Sequence, residues 1–233
     1  MIKVENIDVW GFEHAIRGMR NPMNSWNKSD SKNCLGKEFV DCTVHTYKCP
    51  RKDDNDFDYD IFCIGKNDLD LMRKLYRAGT EHRKYLRQIF VSMDITAPLY
   101  WWKEFDTYKV GTVANSCSTM HKIAAKEFEL DDFSHEHIEV GMSSDIWLDC
   151  FYQTIEILNI AREEYLKTKN KDYWWQMIQL LPSSYNQKRT VTMNYENVVS
   201  MIHQRTGHKL DEWNDFVDIL KNLPYVKEIT DEN

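Results

Sequence analysis

The most regular hydrophobic pattern in the chain lies between residues 88 and 121. Apolar residues occupy every second position there, which is the period of a β-strand with one buried face. The alternating apolar residues are Ile89, Val91, Met93 and Ile95. Pro98 is tolerated in the first turn of a helix, and Thr96 can cap a helix through its hydroxyl. The pattern therefore predicts a strand that leads into a short buried helix over residues 99–105.

A run of small polar residues follows this helix and begins near Gly111. The run contains Thr112, Asn115, Ser116, Cys117, Ser118 and Thr119. Small hydroxyls and amides beside a glycine expose backbone N–H groups and add little bulk, so a loop of this composition can hold a phosphate or a nucleotide. A serine-rich connection with ordinary cap chemistry is the alternative.

Helices are predicted over much of the remaining chain, because apolar residues recur there at three- and four-residue spacing. The predicted helices are 12–20, a helix from an Asn67 cap to about Gly79, 123–128, a long helix opened by Ser143 or Ser144, 172–182, 196–205 after an Asn194 cap, and a last helix around Trp213. One stripe of the long helix is predicted to be core or subunit interface, namely Trp147, Cys150, Phe151, Thr154, Leu158, Ala161 and Tyr165. Residues 2–9 predict a strand with a bulge at Asn6, and two further β-prone runs lie between residues 37 and 64.

Composition limits the classes of protein that this chain can be. It has 233 residues, of which 42% are hydrophobic and 13% aromatic, so we expect one globular domain with a substantial core. The net charge of -7 argues against a surface for duplex nucleic acid, since phosphate neutralisation needs clustered Lys and Arg. No apolar run approaches the roughly 18 residues of a membrane span, and no secretory leader is evident, so a cytoplasmic protein without membrane contact is expected.

Metal chemistry has weak support in the sequence. The six cysteines lack the C-x-x-C pairs that are typical of a zinc site. The candidate ligands fall into two groups, Cys34, Cys42, His45 and Cys49 in one, His135 and His137 in the other. Neither group has the spacing of a tetrahedral site, so no metal is predicted.

Two basic segments are candidate anion contacts. One is the loop after the first helix, with Arg17, Arg20, Asn24 and Ser25. The other precedes the central strand and contains His82, Arg83, Lys84 and Arg87. A solvated surface is the alternative for both.

The order of these features resembles the flavin-dependent thymidylate synthase family, ThyX. In that family a strand leads into an Ala-Pro helix, which is followed by an Arg-His-Arg motif and by a loop of the form Ser-x-Asn-Glu-x-Ser-x-Arg-Tyr. The equivalent residues here are Ala97 and Pro98, then Thr107, Tyr108 and Lys109 for Arg-His-Arg, then 112–120 for the loop. Cys117 stands at a loop serine of the family, and Thr119 stands at an arginine.

A second block extends the resemblance towards the C-terminus. Leu181 and Pro182 precede Asn194 and Arg205 at spacings like those between the family's Leu-Pro, a flavin-contacting Asn and an Arg that contacts the nucleotide phosphate. The likeness covers most of the chain, apart from residues 26–64 and an acidic loop near residue 130.

The resemblance implies an α+β fold in which a mixed or antiparallel sheet is flanked by long helices. It implies one ThyX-like domain over residues 1–233 with an insertion at about 26–64, assembled as a homo-oligomer, a tetramer by analogy. The implied ligands are a dUMP-like pyrimidine nucleotide and FAD, with methylenetetrahydrofolate and NADPH as co-substrates of dTMP formation. Reduced flavin supplies the hydride in the family, so no catalytic side chain is predicted.

Carried over position by position, the resemblance also implies two sets of site residues. Flavin contacts are assigned to His82, Thr107, Tyr108, Lys109 and Asn194, and nucleotide contacts to Glu104, Asn115, Ser116, Cys117, Ser118, Thr119 and Arg205. The alternative is a nucleotide- or anion-binding module that has lost flavin and catalysis, because the Arg-His-Arg position here keeps one certain positive charge. A partner-binding protein, suggested by the Trp and Tyr content, is a third interpretation.

Overall fold

The computed structural model describes residues 2–34, 61–141 and 143–230. Its strands are β1 (Lys3–Trp10), β2 (Lys32–Cys34), β3 (Ile61–Cys63), β4 (Phe90–Pro98), β5 (Thr112–Ser116) and β6 (Asn186–Asn194). Its α-helices are α1 (Phe12–Arg20), α2 (Lys66–Arg77), α3 (Leu99–Phe105), α4 (Thr119–Lys122), α5 (Ser144–Thr168), α6 (Lys171–Leu180), α7 (Tyr195–Arg205), α8 (Asp211–Lys221) and α9 (Val226–Thr230). Short 3₁₀ turns cover Asn21–Met23, Trp26–Lys28, Lys84–Gln88 and Leu130–Asp132.

Four of these strands form one antiparallel sheet in the order β1-β4-β6-β5. The two long strands β4 and β6 occupy its centre and pair from Phe90 opposite Asn194 to Pro98 opposite Asn186. The short strand β5 lies at one edge. The strands β2 and β3 form a separate two-stranded sheet.

One face of the central sheet carries the main hydrophobic core. Val91, Met93 and Ile95 are at most 1% exposed, as the alternating pattern predicts. They belong to one cluster with the buried faces of α1, α3, α7 and α8. The opposite face is polar and partly exposed, with Asp94 and Thr190 beside each other on adjacent strands.

A second, smaller core lies beneath the two helices that follow the sheet's edge. Leu158 of α5 and Met177 of α6 are fully buried in it, together with Phe133 from the preceding loop. Of the stripe predicted on the long helix, Phe151, Leu158, Ala161 and Tyr165 pack in this core. Trp147 and Cys150 of the same stripe are exposed.

The predicted fold class is confirmed, since helices pack on an antiparallel sheet. The bulge in β1 is also confirmed, because the pairing with β4 shifts between Glu5 and Asp8 and Asn6 has a φ of 52°. No helix in the described parts of the chain is long and apolar enough to cross a bilayer.

Three local predictions were wrong. Thr96 does not cap a helix, because β4 continues through it to Pro98. The helix predicted to cover 123–128 ends at Lys122. Asn67 does not cap α2; the side chain of Asp30 accepts the backbone N–H groups of Asn67 and Asp68 instead. In the last case the cap comes from a distant loop, which spacing along the helix cannot reveal.

Several predictions concern residues outside the described ranges. Most of the insertion at about 26–64 and most of the two β-prone runs fall there, as do the candidate ligands Cys42, His45 and Cys49. Only the end of the second run is described, where Ile61–Cys63 forms β3.

Candidate functional site

The candidate site is organised by α3, whose apolar residues fix it in the core. Trp101, Trp102 and Phe105 are at most 2% exposed, and the ring of Trp101 lies 4.8 Å from that of Trp213 on α8. This packing leaves Glu104 at the solvent edge of the helix. It also fixes the position where the chain turns towards β5.

The turn between α3 and β5 is held against the start of α7. Gly111 has a φ of 77°, and a Cβ on it would lie 2.5 Å from Nδ2 of Asn194, so glycine is required for both reasons. The amide of Asn197 donates to the carbonyl of Val110 at 2.8 Å and to the hydroxyl of Thr112 at 2.7 Å. Asn194 itself caps α7 by accepting the backbone N–H of Asn197 at 3.0 Å, as the sequence predicts.

The structure brings Glu104, Tyr108 and Arg205 together with two residues that were not predicted, His208 and Trp213. We call these five residues the Arg205 cluster. Arg205 donates to Glu104 Oε2 at 2.5 Å and to the hydroxyl of Tyr108 at 2.9 Å, and its guanidinium lies 4.6 Å from the ring centre of Trp213. His208 Nε2 and Trp213 Nε1 lie 3.2 and 3.1 Å from the same carboxylate oxygen.

The charge of Arg205 is therefore already compensated inside the chain. Its side chain is 17% exposed and is held by a carboxylate, a phenol and an indole face. The contacts join α3 to α7 and α8, so the cluster stabilises the packing of these helices. His208 lies in the connection between α7 and α8 and Trp213 lies on α8, both far along the chain from Glu104, and a sequence signal for their approach to Glu104 is lacking.

The first part of the small polar run, Thr112–Ser116, is the strand β5 rather than part of the predicted loop, whereas Cys117 and Ser118 connect it to α4. Asn115 pairs with Thr190 and Ser116 with Arg189 in the ladder between β5 and β6, and the N–H of Cys117 continues it by donating to the carbonyl of Lys188 at 2.9 Å. β5 has only Val113 and Ala114 as apolar residues, on opposite faces, and four of its five positions are exposed, so it lacks the alternating apolar signal of a half-buried strand. Backbone N–H groups used in this ladder cannot cradle a phosphate.

The side chains of this segment are nevertheless open to solvent. We call residues 115–119 the polar stretch. Asn115, Ser116 and Cys117 are exposed, and Ser118 accepts the backbone N–H of His121 at 3.1 Å as the cap of α4. Within the described chain, the side chains of Asn115 and Ser116 form no hydrogen bond, so they are available to a ligand.

Lys109 lies at the other end of β5. It is exposed and, among the described residues, forms no ion pair. Four residue steps separate Thr112 from Ser116, so β5 spans about 13 Å at roughly 3.3 Å per residue. Lys109 therefore lies three residues before β5, across the Gly111 turn, and the polar stretch lies at the far end of the strand.

A charge that was not predicted lies beside the polar stretch. Arg189, opposite Ser116 in β6, contacts Asp106 at 2.7 Å and lies 4.1 Å from the ring centre of Trp102. Its guanidinium is thus held in the same manner as that of Arg205. The sequence contains no signal for this role, because it depends on the register of two strands far apart in the chain.

The polar face of the sheet next to Asn115 carries a charge network of its own. Hydrogen bonds from Thr190, Asn6 and Lys188 lower the pKa of Asp94 to about 2. The Thr190 and Asn6 contacts are 2.6 and 2.9 Å long. This carboxylate is ionised near neutral pH and repels an anion that approaches that face.

The remaining predicted flavin residues are used by the fold in different ways. Thr107 donates to the carbonyl of Glu104 at 2.7 Å, and Tyr108 donates to Gln204 at 2.9 Å. His82 is exposed in a turn whose Arg83 pairs with Glu196 at 2.8 Å. This ion pair places the His82 turn at the start of α7, the helix that Asn194 caps.

The N-terminal basic loop is also held together internally. Arg20 is 4% exposed, donates to Asp68 at 2.5 Å and also contacts Ser25. These contacts fix the loop on α2. Burial raises the pKa of Asp68, but hydrogen bonds from Ser31, Ser29 and Arg20 outweigh it and lower the pKa below its ordinary value. Arg17 is exposed and faces a cavity of about 300 Å³.

The two histidines considered as metal ligands do not converge. His135 contacts Glu139 at 3.0 Å, whereas His137 contacts Asp211 at 3.1 Å. No group of three or more His, Cys, Asp or Glu side chains that could hold a metal occurs among residues 2–34, 61–141 and 143–230.

The residues present at this site do not fit the pyrophosphate of FAD on a single chain. Both neighbouring guanidinium groups are bonded to carboxylates, Arg189 to Asp106 and Arg205 to Glu104. Within the described chain, the buried atom at the start of α7 that lacks a hydrogen-bond partner is Glu196 Oε2, and a carboxylate oxygen repels phosphate.

The sheet order and the flanking helices define a class of α+β protein, and the comparison with solved structures specifies it further. Crystal structures of ThyX from Helicobacter pylori with FAD and dUMP share this fold. One has a TM-score of 0.62 at 13% identity and covers 99% of this chain and 97% of that chain. A second has a TM-score of 0.61 at 14% identity and covers 98% and 96%. No family model and no curated protein sequence matches the chain.

The ThyX-like fold predicted from the sequence is thus confirmed over nearly the whole chain. At this level of identity the likeness establishes the fold alone. The roles of the charged residues at the site follow from the contacts that they make in this chain.

Proposed function

We propose that this protein binds a pyrimidine nucleotide of the dUMP type on the ThyX scaffold. The observation that supports this best is the edge strand β5, which has a free cation at one end and free small polar side chains at the other. Both similar crystal structures contain dUMP, which supports a nucleotide as the ligand. In this proposal the Arg205 cluster holds the helices that present β5.

The chemistry of the exposed residues suits a nucleoside monophosphate. The ammonium of Lys109 is a compact point charge for a phosphate. The amide of Asn115 offers both a donor and an acceptor, which matches the polar edge of a uracil ring. Cys117, Ser118 and Thr119 complete the polar end.

Titration of the purified protein with dUMP tests this proposal. We expect Lys109→Gln to weaken dUMP binding by about 10- to 100-fold, as for the loss of a hydrogen bond to a charged group of about 1.5–3 kcal/mol. Lys74→Gln on α2, which removes another exposed lysine, is the matched control and should leave affinity unchanged. Wild-type protein that shows neither heat of binding nor a rise in melting temperature with dUMP would contradict the proposal.

Flavin-dependent formation of dTMP is the second candidate function. The FAD in both similar crystal structures favours it, whereas the compensated arginines of this chain disfavour it. The visible spectrum of the purified protein and its melting temperature with added FAD separate the two. A colourless protein that FAD does not stabilise would exclude the flavoenzyme, and the binding module would remain.

A homo-oligomer stays a prediction at this point, as does the expected absence of duplex nucleic acid among the partners. If subunits combine, a neighbouring chain can add cations that this chain lacks at the site.

A further inference from the structure

The cavity of about 300 Å³ that Arg17 faces is lined by α1 and by the small sheet of β2 and β3. We call it the α1 cavity. Helix α1 contributes Glu13 and Arg17, one turn apart on the same face, and β3 contributes Phe62. Trp26 lines it from the loop after α1. Its volume is at the lower end of the roughly 300–1,000 Å³ that is typical of small-molecule sites, so a ligand that fits it is small.

The wall of the α1 cavity is built on a buried ion pair. Arg20, which also lines the cavity, is 4% exposed and donates to Asp68 at 2.5 Å. The hydroxyls of Ser29 and Ser31 donate to the other oxygen of the same carboxylate, at 2.7 and 2.6 Å. This network fixes the loop on α2, so the cavity is formed before a ligand enters it.

Two opposite charges at the cavity lack ionic partners. Arg17 is exposed, and among the described residues its one polar contact is with Nδ1 of His14, at 3.3 Å. It differs in this respect from Arg20 and Arg205, which bond carboxylates. Glu13 is also exposed and, within the described parts of the chain, forms no hydrogen bond or ion pair. A glutamate four residues before an arginine can pair with it on a helix, yet here both charges stay open to a ligand.

Two aromatic rings give the cavity its apolar surface. The indole of Trp26 is 51% exposed, and its Nε1 donates to the side chain of Asn21 at 2.7 Å, which orients the ring. Phe62 is half-buried, and its carbonyl accepts the hydroxyl of Tyr225 at 3.3 Å, which ties β3 to the main core. Aromatic faces beside a small cavity favour a ligand that carries a planar ring.

We propose that the α1 cavity binds a small zwitterion with an aromatic ring, of which a free aromatic amino acid is the simplest example. The planar guanidinium of Arg17 suits the carboxylate of such a ligand, because it can form two parallel hydrogen bonds with it. The carboxylate of Glu13 suits the ammonium group, and Trp26 and Phe62 suit the ring. Both charged groups of an α-amino acid are attached to one carbon, so a single small molecule reaches both side chains. A ligand with a negative charge alone would be repelled by Glu13.

The α1 cavity is separate from the proposed nucleotide site. Trp26 and Phe62 lie in residues 26–64, which the resemblance to ThyX leaves out. None of the described residues that line the cavity belongs to the Arg205 cluster or to the polar stretch. The inference therefore does not depend on nucleotide binding.

Calorimetry of the wild-type protein with a series of ligands tests the chemistry of the site. We expect L-phenylalanine to bind. Phenylpropionate lacks the ammonium group, phenylethylamine lacks the carboxylate and L-alanine lacks the ring, so each should bind more weakly by about tenfold or more. Equal affinity for any of these three would overturn the proposal. So would the absence of both a heat of binding and a rise in melting temperature with L-phenylalanine, L-tyrosine and L-tryptophan.

Variants test whether the ligand lies in the α1 cavity. We expect Arg17→Gln, Glu13→Gln and Trp26→Ala each to weaken L-phenylalanine binding by about tenfold or more, and Trp26→Phe, which keeps a ring, to weaken it less. Lys28→Gln, at an exposed lysine in the same turn as Trp26, is the matched control and should bind as wild type does. Lys109→Gln should also keep wild-type affinity for L-phenylalanine. Wild-type affinity in Arg17→Gln with unchanged circular dichroism would overturn the proposal, as would loss of L-phenylalanine binding in folded Lys109→Gln.

Discussion

The Arg205 cluster takes Glu104 and Tyr108 from the segment just before the polar stretch, yet the two regions differ in almost every physical respect. Arg205 is held by Glu104, Tyr108 and Trp213 and is mostly buried. Asn115 and Ser116 are exposed and, within the described chain, their side chains have no partner. In the first region the charged side chains bond to one another and hold the helices together. In the second, polar side chains are exposed and open to a ligand.

The residues implied by the ThyX resemblance therefore separate into two roles, those that hold the helices together and those that are open to a ligand. A guanidinium that is already neutralised contributes little to an anion from outside, because its partners would have to be displaced first. The exposed polar residues carry no such cost. Residues at equivalent positions of one fold can therefore serve stability or binding, depending on their neighbours.

Truncation of Trp213 should lower the free energy of unfolding more than any other change in these two regions. The indole is fully buried, lies 4.8 Å from the ring of Trp101 and donates to Glu104 at 3.1 Å. Truncation of a large core aromatic typically costs about 3–5 kcal/mol, so we expect Trp213→Ala to lower the free energy of unfolding by that amount. Chemical denaturation measures it.

Asn115→Ala is the control from the other region. Its exposed side chain should contribute less than about 0.5 kcal/mol to stability. Equal losses for the two variants would remove the distinction between a packed cluster and an open stretch.

The fold was largely predictable, because its signals are local. The alternation of Ile89 to Ile95 predicted a central strand, and Asn194 predicted the start of α7. The errors came from long-range contacts. Asp30 reaches α2 from another loop, and pairing with β6 turned the predicted small-polar loop into a strand.

The site was less predictable than the fold, for a related reason. The sequence placed Glu104, Tyr108 and Arg205 in one site, and the structure does bring them together. It could not show that Trp213 and His208 complete the cluster, or that Arg205 is already paired. Availability of a charge depends on its three-dimensional neighbours, which motif spacing does not contain.

A change at Arg205 should have the next largest effect on the free energy of unfolding. It also tests whether stability and ligand binding depend on different residues. Arg205→Gln leaves Glu104 without its guanidinium, so we expect a loss of about 1–3 kcal/mol in the free energy of unfolding. The affinity for dUMP should stay within about threefold, or 0.7 kcal/mol, of wild type. Lys109→Gln should show the reverse pattern, with stability kept and affinity lost. Denaturation and calorimetry on the same preparations measure both quantities.

Arg205→Lys is the matched control for charge. It keeps the positive charge but loses the planar fork that contacts Glu104 and Tyr108 together, so its stability should lie between those of wild type and Arg205→Gln. A large loss of dUMP affinity in stable Arg205→Lys protein would place Arg205 at the ligand and contradict the separation.

The smallest expected effect is on the pH dependence of stability in acid. It tests whether the Asp94 carboxylate, on the polar face of the sheet, stabilises the fold. The pKa of Asp94 is lowered from 3.8 to about 2 by its bonds with Thr190, Asn6 and Lys188, so the native state holds the ionised form more strongly than the unfolded state does. Its contribution to stability is present above pH 3.8 and is lost as the pH falls towards 2. Melting temperature should therefore fall less steeply over this range in Asp94→Asn than in wild type. Asp131→Asn, at another exposed aspartate, should leave the wild-type slope unchanged. Because Thr190 is the cross-strand partner of Asn115, a wild-type slope in Asp94→Asn would mean that the Asp94 carboxylate adds no stability to the sheet beneath the polar stretch.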